Sequence, residues 1–139
     1  MVDTRSLNRS LLEAWRSVDA QVARALEAQG ASDLSPRHAA ALLLVERKGS
    51  RLTDLASRAG ITKQAMMQVV DDLEVMGHLR RSADPSDARA KIVRLTPKGQ
   101  KERTEAGRAV SSVESRLRRR LGPDRFEQLK AALARLADG

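Results

Sequence analysis

The sequence predicts a mainly α-helical fold interrupted by one small β-hairpin, in the order α-α-α-α-β-β-α-α. Three observations predict it. Apolar residues recur at helical spacing over most of the 139 residues. Ser, Thr and Pro stand where helices should start, and Gly stands where they should end. Only residues 79–95 break that rhythm, as two short extended runs around a polar turn.

Leu7, Leu11, Ala14 or Trp15, Val18, Val22 and Leu26 mark a long amphipathic first helix that ends near Gly30. Ser35 is an N-cap and Pro36 suits the first helical position of the second helix. Residues 39–45 are apolar nearly all round, so this helix is expected at the centre, ending at Lys48 and Gly49. Residues 52–59 read as a short helix broken by Gly60, and Thr62 caps the next, whose stripe is Met66, Val69, Val70, Leu73 and Met76 before Gly77. Strands are expected over 79–82 and 91–95, with a long polar tip from Ala83 to Ala90. Thr96 and Pro97 restart a helix that runs to about Arg120. Gly122 and Pro123 then punctuate, and a last helix carries Phe126, Leu129, Leu133 and Leu136.

Composition bounds the rest. No linker divides the chain, so one domain over 1–139 is expected. Apolar residues make up 41%, but aromatics only 1%, so the core must be aliphatic. That scarcity argues against single-stranded nucleic acid, which is bound on aromatic platforms. The net charge of +8 calls for an anionic partner, or else a basic surface kept for solubility. Absence of cysteine excludes disulfides, thiolate metal sites and thiol redox sensing. No apolar run reaches membrane-spanning length and no signal-peptide core is present, so a soluble, cytoplasmic protein without a membrane partner is expected.

Residues 52–73 hold a helix-turn-helix. Ala56 must be small where two helices cross, Gly60 accepts positive φ in the turn, and Ile61 plugs the elbow. The second helix can then enter a major groove by its N-terminal end. Off its apolar stripe stand Thr62, Lys63, Gln64, Met67 and Gln68. Gln64 and Gln68 are suited to adenine, Met67 to a thymine methyl, Lys63 to phosphate or guanine, and Thr62 with the helix N-terminus to phosphate. The plainer reading makes each a solvated surface residue. Asp71, Asp72 and Glu74 confine acid to the far end of the helix.

The hairpin is basic, with Arg80, Arg81, Arg89, Lys91 and Arg94. An arginine on such a ribbon can enter a narrow minor groove, and Asp87 is placed to hold Arg89 by a charge-assisted bond. A solvated turn with a surface ion pair is the plainer alternative.

Residues 84–99 match the pattern D-P-x-D-x-R-x-K-x-V-x-L-T-x-x-G, and the segment Gly60-Ile61-Thr62-Lys63-Gln64-Ala65 precedes it at helix-turn-helix spacing. On these residues the chain resembles the MarR family of bacterial winged helix-turn-helix regulators, over essentially its whole length. The resemblance implies an intertwined homodimer whose interface is built by the helical ends, 1–29 and 101–139, with a winged DNA-binding lobe at 30–100. It implies that Arg89 reaches the minor groove and that Asp87 orients it. It implies a sequence-specific regulator of a pseudo-palindromic double-stranded operator, usually a repressor, and in many members release by a small aromatic or anionic ligand.

For such a ligand Trp15 and His38 are the candidates. The plainer reading of Trp15 is a core or interface anchor, and of His38 a surface residue in the cap region. The missing cysteine removes the hydroperoxide-sensing mechanism, and only His38 and His78 offer nitrogen ligands, which argues against a metal site. No cofactor is expected. No nucleophile with a partnered base and no phosphate loop is recognisable, so an enzyme is not expected. The alternative to a regulator is a winged helix used for architectural DNA binding or for protein contact.

Overall fold

The computed structural model describes residues 3–31 and 33–139, the side chain of Ala88 apart. Residues 1, 2 and 32, within the expected domain spans, lie outside the described residues. Six helices and three strands follow in the order α1 (Leu7–Ala28), α2 (Pro36–Leu44), β1 (Ser50–Arg51), α3 (Leu52–Ala59), α4 (Lys63–Val75), β2 (Leu79–Asp84), β3 (Asp87–Leu95), α5 (Pro97–Leu121) and α6 (Pro123–Ala137).

The caps work as the residue types require. Ser6, Ser35, Thr62 and Thr96 each accept a backbone N–H of the first turn they precede. Gly60 ends α3 at φ 69°, and Ile61 N–H then bonds back to Ala56 O at 3.1 Å. α2 ends earlier than expected, at Leu44. Its last carbonyls turn to arginines of other helices: Arg103 donates to Val45 O at 2.8 Å, and Arg58 to Leu44 O at 3.3 Å. These cations also favour the negative end of the helix dipole.

α2 packs against α1, α3, α4 and α5, and the core lies around it. Leu26, Leu42, Leu55, Met66, Leu73 and Leu79 are fully buried there. Each such side chain contributes about 1.5–3 kcal/mol by leaving water. Phe126 alone supplies an aromatic to the buried set, beneath the α5–α6 corner, with Arg118 over its ring.

The sheet has the antiparallel order β1-β3-β2. β1, which two residues are too short to reveal by alternation, pairs Ser50 with Val93 and Arg51 with Ile92. The expected long polar tip is corrected. Both strands extend through it, and only Pro85 and Ser86 form the turn. Register runs regularly from Leu79↔Leu95 to Ala83↔Lys91, then jumps to Asp84↔Asp87. Residues 88–90 are therefore the excess on β3, a bulge that bends the ribbon.

One joint is unusually close. Thr96 N–H donates to His78 O at 3.0 Å, Thr96 Oγ1 to Gly77 O at 2.6 Å, and Lys98 Nζ to Met76 O at 2.7 Å. The N-terminus of α5 thereby caps the C-terminus of α4. A Cβ on Gly99 would overlap the His78 carbonyl, so only glycine fits.

On α1 and α6, Leu7, Leu12, Trp15, Leu129, Leu133 and Leu136 stay exposed in the single chain. No described helix is long and apolar enough to cross a membrane.

Candidate nucleic-acid interface

α4 presents its N-terminal turns outward. Its buried stripe of Met66, Val69, Val70 and Leu73 faces α2 and α3, which leaves Thr62, Lys63, Gln64, Met67 and Gln68 exposed on the other side. Thr62 is committed to the cap, its Oγ1 accepting Ala65 N–H at 3.0 Å. Gln68 is bonded one turn along, Nε2 donating to Asp72 Oδ1 at 3.0 Å.

A groove of about 440 Å³ runs between α4 and the β2–β3 wing. Lys63, Met67 and Asp71 line it from α4, and Arg81, Arg89 and Lys91 from the wing. Thr62, Gln64, Gln68 and Arg80 lie outside that lining, and all four are exposed.

Two residues of the expected site, Arg81 on the basic strand and Asp87 as the holder of the Arg89 guanidinium, have other partners. Arg81 donates to Asp71 Oδ1 at 2.5 Å and to Glu74 Oε1 at 3.4 Å, and its side chain is half-buried. It ties the base of the wing to α4 and offsets two of the acids there. Asp87 Oδ1 accepts the backbone N–H of Arg89 at 3.0 Å, not its guanidinium. The carboxylate holds the start of the bulge, and the Arg89 side chain stands exposed beyond it.

Sequence reasoning missed the hub of the wing. Asp84 is 7% exposed. One oxygen accepts both the N–H and the hydroxyl of Ser86, at 2.9 and 2.8 Å, and the other accepts Arg51 Nε and Nη2, at 3.1 and 2.8 Å. The Ser86 bonds, then Arg51, hold its carboxyl below the usual carboxylate range. Asp84 thus clamps the turn of the wing to the entry of α3. The Asp-Pro pair signalled a turn, but Arg51, 33 positions away, carried no signal of its own.

The ligand candidates separate. Trp15 is 58% exposed and lines a cleft of about 430 Å³ with Asp19, Arg37, Ala40, Ile61 and Met66. His38 is not in that lining. Its Nδ1 accepts Ser35 N–H at 3.0 Å, completing a capping box, and its Nε2 lies 3.0 Å from Asp72 Oδ2. Among the described residues no three acidic or histidine side chains are grouped to hold a metal ion.

The MarR family profile matches residues 32–90. No curated protein sequence matches the chain significantly. Among solved structures, the transcriptional repressor CouR bound to a 23-mer DNA duplex is 30% identical, with a TM-score of 0.85 over 95% of this chain and 92% of that one. CouR from Rhodococcus jostii RHA1 bound to p-coumaroyl-CoA is 25% identical, at 0.83 over 96% and 93%. A probable transcriptional regulator from Pseudomonas aeruginosa is 27% identical, at 0.84 over 94% and 96%.

Proposed function

The chain belongs to the MarR family of transcriptional regulators, and on that premise we propose that it represses transcription by reading a pseudo-palindromic operator as a homodimer. Family and fold are those of regulators rather than enzymes. One observation carries the reading: the exposed cations Lys63, Arg89 and Lys91 border a single groove between α4 and the wing, while Asp71, Asp72 and Glu74 are engaged by Arg81, His38 and Gln68. Positive potential is thereby left facing the place where a duplex would lie.

In this reading Lys63, Gln64, Met67 and Gln68 enter the major groove, with Thr62 and the α4 N-terminus at a phosphate. Arg89 enters the flanking minor groove, and Lys91 and Arg80 contact the backbone. Arg81 and Asp87 act from behind, by fixing the wing. Residues 30–100 form the DNA-binding lobe, and 1–29 with 101–139 form the dimerisation region. The exposed leucines of α1 and α6 support that division, since large apolar side chains left open on both terminal helices suit a subunit interface. Half-sites are then about one helical turn, roughly 10 bp, apart.

Ligand release is part of the proposal. The Trp15 cleft is lined by that ring, by the apolar Ala40, Ile61 and Met66, and by Arg37 with Asp19, which suits an aromatic compound whose negative group lies on Arg37. The binding of p-coumaroyl-CoA by a relative supports that class.

Selection of bound duplexes from a random pool tests the function. A two-fold symmetric consensus, bound at least 1,000-fold over bulk DNA, is the expected order of selectivity. A ratio near one would make the protein an architectural binder instead. Arg89→Ala should weaken operator binding by about 10–100-fold, through loss of a cation from each flanking minor groove. An unchanged Kd would remove Arg89 from the interface.

A further inference from the structure

We infer that His38 and Asp72 form a positioning pair that sets which way the Gln68 amide faces, and so decides which base that side chain accepts. The inference rests on the operator reading above and concerns the selectivity of one of its readers.

The bonds run in one line. Ser35 N–H donates to His38 Nδ1, so the ring carries its proton on Nε2 and donates from there to Asp72 Oδ2 at 3.0 Å. The other oxygen of Asp72 accepts Nε2 of Gln68 at 3.0 Å. A carboxylate has no proton to give, so it can hold only the NH2 side of the amide and never its oxygen. His38 and then Gln68 hold Asp72 below the usual carboxylate range, which keeps it an acceptor.

The two ends of the line differ in exposure. The His38 side chain is 14% exposed, while Gln68 stands on the open face of α4. An unrestrained glutamine amide turns over at little cost and offers either edge. Held by Asp72, this one keeps its oxygen and one N–H for a partner. That set matches the N6 donor and N7 acceptor of adenine. Guanine presents two acceptors, O6 and N7, and needs two donors, one of which is already engaged. The pair therefore favours adenine over guanine under Gln68.

Asp72→Asn keeps the shape of the side chain but supplies both a donor and an acceptor, so the amide is free to turn. The test is pooled-duplex selection with the full-length wild type, Gln68→Ala, Asp72→Asn, His38→Ala and His38→Gln, each checked for helix content and dimer size. Gln68→Ala should flatten one base position per half-site. Asp72→Asn and His38→Ala should lower the adenine-to-guanine ratio at that position alone by about tenfold, the lower part of what one bidentate contact confers. His38→Gln retains an N–H for Asp72 and should restore most of the ratio.

If Gln68→Ala flattens the position but Asp72→Asn leaves the ratio within twofold of wild type, the inference is wrong and the operator reading stands. Equal relaxation of every position in Asp72→Asn would show a merely structural role and overturn it too. An unchanged consensus in Gln68→Ala removes Gln68 as a reader, and the inference with it.

Discussion

Gly99→Ala is the substitution with the most sharply defined consequence. In the wild type the N-terminal turn of α5 lies directly on the His78 peptide. The added methyl would overlap the carbonyl oxygen and sit 2.8 Å from its carbon and 3.2 Å from its Cα. Carbon atoms prefer about 3.5–4.0 Å, so the two backbones must part by roughly 1 Å. Neither is the end of a flexible side chain. The movement stretches three hydrogen bonds that close the joint, from Thr96 to His78 and Gly77 and from Lys98 to Met76. Each is worth about 0.5–1.5 kcal/mol net. With the strain of overpacking, the expected loss is about 2–4 kcal/mol. Gly107→Ala is the control in the same helix. Its Cβ meets only Leu43 Cδ2, at 3.7 Å, so helix propensity dominates and the change should stabilise by about 0.5–1 kcal/mol. Urea unfolding at one fixed protomer concentration reads both, because subunit association enters the measured stability. A Gly99→Ala protein within 0.5 kcal/mol of wild type would refute the close-approach reasoning.

Three further outcomes are expected. Burial pushes the His78 imidazole below its ordinary pKa, against the opposing pull of Glu102 and Asp33, with Lys98 and His38 acting in the same sense as burial. Its folded pKa is the depressed one, so the unfolded chain binds the extra proton first and stability falls as pH drops below about 6.5; His78→Gln should flatten that slope in unfolding curves from pH 7 to 5, and an unaltered slope would assign it to other groups. Leu129→Asp with Leu133→Asp places charge on the exposed apolar face of α6 and removes about 1 kcal/mol of apolar burial per leucine from the dimer; sedimentation should show monomers at micromolar concentration, and an intact dimer would move the interface elsewhere. Trp15 is the only tryptophan, so an aromatic carboxylate or acyl thioester entering the cleft should quench the protein's fluorescence, and Trp15→Ala should weaken its binding, measured by calorimetry, by up to about tenfold. Quenching in the wild type together with unchanged affinity in Trp15→Ala would place the ligand near the ring but not on it.

The helices were legible because their caps and stripes are local. Ser35, Thr62 and Thr96 act on residues three positions on, and Gly60 and Gly77 act on the turn they occupy. β1 escaped because a strand of two residues has no alternation to detect. The bulge at 88–90 escaped because register is a property of two strands together. Charge pairing was the least legible feature of the site. Arg81 read as a free cation until its partners Asp71 and Glu74 came beside it, and the Asp87–Arg89 spacing fits a bond to the guanidinium as well as the bond to the amide that forms. The family motif therefore contains more scaffolding than contact. Asp84 clamps, Thr96 caps, and Gly99 leaves room.

That last glycine also makes the α4–α5 joint a crank with no play. α5 has 25 residues and so is about 37 Å long. With its near end bonded onto the C-terminus of α4, it transmits a tilt at that end. A rotation of roughly 10° about one end of such a shaft swings the other by about 6 Å. DNA fixes the distance between successive major grooves at about 34 Å, so a swing of that size in each protomer puts the two α4 helices out of step with the duplex. If α4 reads the operator in a dimer as proposed, whatever sets the angle of α5 among the helices around it also sets the gauge of the whole instrument, at a distance from any base.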